Sequence, residues 1–91
     1  MNNREYQYTN ITSGATTQVF TGRGLLQAIT INTTAAGTIK IIDNTSGTTA
    51  NVGTIVASAG IGTYWFNCSI SSGLRIVTAA ASDITVTWAQ G

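Results

Sequence analysis

The side chains able to do chemistry in this sequence are few and far apart. Its carboxylates are Glu5, Asp43 and Asp83, its cations Arg4, Arg23, Lys40 and Arg75, its one thiol is Cys68, and it has no histidine. General acid–base catalysis is commonly run by a histidine or by a carboxylate pair. Here the acids are widely separated, and Asp43 and Asp83 read as turn and strand-edge residues. Asp43 opens "DNTSG", which looks like the start of a calcium loop but lacks the acidic residue two positions on and the terminal Glu. The donors that remain are too few for a protein-only metal cage. Cys68 alternates in phase with Tyr64 and Phe66, so it reads as a buried, inert thiol with no base or cation beside it. "GRG" at 22–24 has no phosphate-loop context and reads as a turn. The sequence thus predicts no catalytic residue, no cofactor and no metal, in a protein that is not an enzyme.

Composition narrows the class further. Only 8% of the 91 residues are charged, with a net charge of +1, against about 25% charged in ordinary soluble domains. The surface must therefore be built from Thr, Ser, Asn, Gly and Ala. The scattered cations give no footprint for a nucleic-acid backbone or an anionic membrane, and no apolar run approaches the roughly 20 residues of a membrane helix. The start, MNNREYQYTN, lacks a signal-peptide core, which predicts synthesis in a reducing cytoplasm. Sequons at Asn10, Asn32, Asn44 and Asn67 are read as composition. A chain this short makes one thin core, and a single cysteine excludes an internal disulfide. Of the usual ways to stabilise a small domain, oligomerisation is left. A weakly charged surface also suits dense assembly.

The elements that must position these residues are strands. Hydrophobic periodicity is two nearly throughout, Thr, Ile and Val abound, and Pro is absent. Eight strands are expected, over 4–11, 16–20, 24–32, 38–43, 52–57, 63–70, 74–78 and 84–89, separated by Gly- and Ser-bearing turns. Alternation assigns Leu25, Ile29, Ile31, Ile39, Ile41, Tyr64, Phe66, Cys68, Ile70, Leu74, Ile76, Ile84, Val86 and Trp88 to the core. Short strands with frequent turn signals predict an all-β, antiparallel two-sheet β-sandwich of jelly-roll or immunoglobulin-like character. Residues 1–91 form a single domain in this reading, with 1–10 either its first strand or an arm reaching a neighbouring subunit.

Three out-of-phase apolar residues stand out: Trp65, which alternation sends to the face opposite the core beside Thr63 and Asn67, and also Ile42 and Val77. Such residues are ordinary on a surface, but aromatic anchors are enriched at protein interfaces, and an indole can also stack on a pyranose ring. The expected interface residues are Arg4, Tyr6, Tyr8, Trp65 and Val77.

The segments "GLLQAITI", "AGTIKIID", "GTYWF", "SGLRIVT" and "SDITVTW", within residues 22–89, resemble the small all-β structural proteins of tailed phage particles, especially capsid decoration (cement) proteins and related head-fibre components. The resemblance implies a virion protein on the capsid surface, commonly a homotrimer, whose partner is the major capsid protein and which reinforces contacts among capsid subunits. It transfers no particular binding residue, and the first ten residues fall outside it. The alternative is a carbohydrate- or receptor-binding β-sandwich module of a phage tail fibre.

Overall fold

The computed structural model describes residues 6–34, 36–47 and 49–90. They form eight strands: β1 (Gln7–Ile11), β2 (Thr16–Thr21), β3 (Gly24–Ile31), β4 (Ile39–Asp43), β5 (Asn51–Ile55), β6 (Gly62–Ile70), β7 (Gly73–Thr78) and β8 (Ile84–Gln90). Residues 7–11 are thus a first strand, while Arg4 lies outside the described residues.

Pairing follows one rule. β4 pairs with β5, β3 with β6, β2 with β7 and β1 with β8, all antiparallel, so the chain is a long hairpin bent at the β4–β5 turn. Two further antiparallel pairs, β3 with β8 and β4 with β7, join the hairpin's halves into two four-stranded sheets, in the order β1-β8-β3-β6 and β2-β7-β4-β5. This order is that of the eight-stranded jelly roll, which decides between the two sandwich types expected.

The core lies between the sheets and is built from the alternation that the sequence shows. Ile29, Ile31, Ile39, Ile41, Ile70, Leu74, Ile76, Ile84 and Val86 are buried there, joined by Ile11, Phe20 and Ile55 from strand ends. Tyr64, Phe66, Cys68 and Trp88 pack against it while remaining partly exposed. Trp88 keeps its polar end satisfied, its Nε1 donating to Thr9 Oγ1 at 3.0 Å, and its ring lies 5.1 Å from that of Phe20.

Two expectations are corrected. Leu26, not Leu25, enters the core: Leu26 is fully buried and Leu25 only half-buried. Between Leu26 and Ala28, β3 carries an extra residue, Gln27, relative to β8, and this bulge reverses the alternation so that Leu26 and Ile29 share a face. β6 answers with Phe66 and Asn67 opposite that same Gln27, and Asn67 takes a left-handed φ of 49°.

Ile42 is the second correction. It does point away from the core, yet it is completely buried. It pairs with Arg75, whose guanidinium donates to Gln18 Oε1 at 2.6 Å and to the Thr45 carbonyl at 3.1 Å, while Gln18 Nε2 donates to the Asn44 carbonyl at 3.0 Å. These bonds tie Arg75 and Gln18 to the 44–45 segment beside Ile42, where the aliphatic stem of its cross-strand neighbour Arg75 can serve as apolar cover.

Candidate functional site

The two described carboxylates are committed to holding the roll together. Asp43, at the end of β4, accepts the backbone N–H groups of Ser71, Ser72 and Gly73 at 2.8–3.3 Å and so clamps the β6–β7 turn. Partial burial pushes its pKa up, but those three amides outweigh it and hold the carboxyl below its ordinary value. Asp83 Oδ1 accepts from Asn10 Nδ2 at 2.8 Å and Asn32 Nδ2 at 3.1 Å, joining the ends of β1, β3 and β8, and these bonds lower its pKa against a smaller desolvation. The Cys68 thiol is pushed up, first by burial and then by the charge of Asp43. It is therefore the protonated, unreactive form at neutral pH.

Depressed carboxyl values carry a sign. Each contributes stability that is complete above the unfolded-state value, near 3.8, and is lost as pH falls through the folded-state value. Unfolding free energy should therefore hold from neutral pH down to about 4 and decline below it. Urea titrations across pH 2–7 check this, and Asp43→Asn should lower the neutral plateau and flatten the acid limb.

Two surfaces are left for recognition, and they differ in chemistry. The first is the side of the sandwich where β5 and β6, the outermost strands of the two sheets, lie over one another. Gly53 makes this approach possible, since a Cβ there would meet the Phe66 ring at 3.1 Å. Between them opens a cleft of about 450 Å³ lined by Thr54, Ile55, Val56, Ala59 and the Tyr64–Trp65–Phe66 run. Val56 in its lining is exposed, Ile61 is exposed in the loop that precedes β6, and the Tyr64 hydroxyl holds the β5–β6 loop by donating to the Gly60 carbonyl at 3.1 Å. β6 pairs on one side only. Its nine residues contain no charge and no proline, the devices that usually blunt a free edge.

The second surface is the outer face of the β1-β8-β3-β6 sheet. Register places Tyr8 beside Thr87, Thr87 beside Ala28, and Ala28 beside Trp65, so these four side chains form one row across all four strands. Tyr8 is 75% and Trp65 64% exposed, whereas Ala28 between them is only 2% exposed. The row is high at both ends and low in the middle. The next row is polar throughout: Asn10, Thr85, Thr30 and Thr63. Thr85 Oγ1 accepts from Asn32 Nδ2 at 3.0 Å, and the Thr30 and Thr63 hydroxyls are 3.1 Å apart.

The expected interface residues thus separate. Tyr8 and Trp65 share a row. Tyr6, about half exposed, precedes β1, and Val77 is half-buried on the outer face of the opposite sheet, beside Lys40. Outward placement of Trp65 follows from alternation alone, but its alignment with Tyr8 depends on pairings between strands remote in sequence. Val56 and Ile61, missed by sequence reasoning, both lie in the loop between β5 and β6, where no periodic signal marks them. Compared with known proteins, the chain matches no family model and no curated protein.

Proposed function

We propose that this chain is a non-enzymatic structural protein of a phage particle, a decoration subunit that associates with copies of itself as a trimer and binds the major capsid protein on the outer shell. The observation that carries the reading is the β5–β6 seam, an uncharged strand edge beside an apolar cleft with Val56 and Ile61 exposed. Burying such a seam against another subunit removes apolar surface from water at about 25 cal/mol per Å² and gives unpaired backbone groups partners. A small domain with no disulfide gains most from that burial. The surface of uncharged polar residues allows many copies to crowd onto a lattice. Binding preferred by the assembled shell over its precursor would stabilise the shell by mass action. The jelly roll is compatible with this role and with others.

Native mass spectrometry at low micromolar concentration is expected to show a trimer. Val56→Lys combined with Ile61→Lys puts two charges in the seam without touching the core. It should yield a folded monomer with unchanged circular dichroism. A monomeric wild type, or a trimer indifferent to the lysines, overturns the seam as the association surface. Failure of the trimer to co-sediment with phage shells overturns the decoration role itself.

A further inference from the structure

We infer that the outer face of the β1-β8-β3-β6 sheet is a binding platform for a neutral oligosaccharide lying across the strands, held at its two ends by the rings of Tyr8 and Trp65. This goes beyond the seam and does not require it: the two surfaces share β6, and of the residues lining the cleft only Trp65 stands in the platform rows.

Shape and chemistry select the occupant. Tyr8 and Trp65 are three strand spacings apart, roughly 14 Å at about 4.8 Å per spacing, with the low middle of the row, Thr87 and Ala28, between them. A ligand that uses both rings is therefore elongated and has apolar faces at intervals, as a chain of pyranose rings has. Alongside the rings it meets hydroxyl groups with bonds to give. Among the described residues, Thr87 has no side-chain partner, the Thr85 hydroxyl accepts from Asn10 and Asn32 and donates to none, and the Thr30–Thr63 pair uses only one of its two protons.

The described charges disfavour acidic ligands. Of the described cations, Lys40 and Arg75 lie in the other sheet and Arg23 in the β2–β3 turn. Among the described residues, the one charge near the platform is the carboxylate of Asp83, already bonded to Asn10 and Asn32. Among the described residues an anionic glycan would find repulsion and no counter-charge. A protein partner fits less well than a sugar, since it would desolvate a row of Asn and Thr side chains, each then needing a new partner, and protein interface cores favour apolar and aromatic contacts. The seam offers a continuous run of them, whereas on the platform two separate rings flank small and hydroxyl-bearing side chains.

The test uses the full chain with cellohexaose, mannohexaose and chitohexaose as neutral probes and an oligogalacturonate as the anionic control. At least one neutral hexamer should bind saturably in isothermal titration calorimetry and shift the emission of the exposed Trp65 indole, and the matching disaccharide, too short to reach both rings, should bind at least about tenfold more weakly. Tyr8→Ala and Trp65→Ala should each weaken the hexamer by about tenfold or more, and Val77→Ala, on the other sheet, should leave it unchanged. Both aromatics are exposed, so circular dichroism should show these variants folded. The inference is overturned if no neutral hexamer binds at millimolar concentration, if the oligogalacturonate binds better, or if Tyr8→Ala binds as tightly as wild type. A change in native mass on Tyr8→Ala, without loss of sugar binding, would overturn it in favour of a protein interface.

Discussion

Leu26→Ala should destabilise this protein by about 2–5 kcal/mol, the range for truncating a fully buried leucine, and Leu25→Ala by no more than about 1 kcal/mol. The two residues are adjacent and chemically identical, so the contrast isolates the bulge at Gln27. Leu26 is completely enclosed between the sheets, where truncation leaves a cavity, while Leu25 lies half-exposed on the outer face with Ala89 and Ser69 as its cross-strand neighbours. Without the bulge, Leu25, Ile29 and Ile31 would share the core side and the two costs would exchange. Urea denaturation of the two variants decides it. Against the roughly 5–15 kcal/mol that holds a typical domain together, the larger loss is enough to bring a chain of this size near its unfolding threshold.

Gly24→Ala is the second large effect, expected to cost about 3 kcal/mol, the upper end for overpacking a tight site. A Cβ at Gly24 would lie 2.6 Å from the carbonyl oxygen of Ala89 and 2.6 Å from the ring of Phe20. The carbonyl belongs to the β3–β8 pairing and cannot turn aside without losing it, and Phe20 is itself packed on Trp88 and the core. Neither contact is relieved by a rotamer change. Gly60→Ala is the control: nothing lies within 4 Å of its Cβ position, and its thermal midpoint should stay close to that of wild type. The "GRG" turn thus holds two glycines for two reasons, since Gly22 has a φ of 90° that few other residues adopt, while Gly24 is required by proximity.

Much of the architecture is legible in the residues because strand alternation is local. Each of Ile39, Ile41, Ile70, Leu74, Ile76, Ile84 and Val86 is placed by its immediate neighbours, and all reach the core. Trp65 is placed outward by the same rule. The rule fails where a strand gains a residue. Gln27 reverses the phase within β3, Val19 interrupts the β2–β7 register just before Phe20 enters the core, and no turn residue or charge marks either site. It is also silent on whether an outward residue is covered, as with Ile42, fully buried beside its cross-strand neighbour Arg75.

By itself, then, the sequence determined an all-β chain of eight short strands, the identity of most of its core, the outward position of Trp65 and the scarcity of groups that could catalyse. All of these depend on period-two patterning and composition, which act over a few residues. Tertiary structure alone decided the jelly-roll order, the exchange of Leu25 for Leu26, the apolar seam between β5 and β6, and the row that sets Tyr8 opposite Trp65. The strand order, the Leu26 exchange and the Tyr8–Trp65 row need strands remote in sequence to pair in a particular register, and the seam needs the consecutive β5 and β6 to end up at the edges of different sheets. That register is set by bulges and by the way the long hairpin rolls up, through contacts far apart in sequence whose partners no local pattern names.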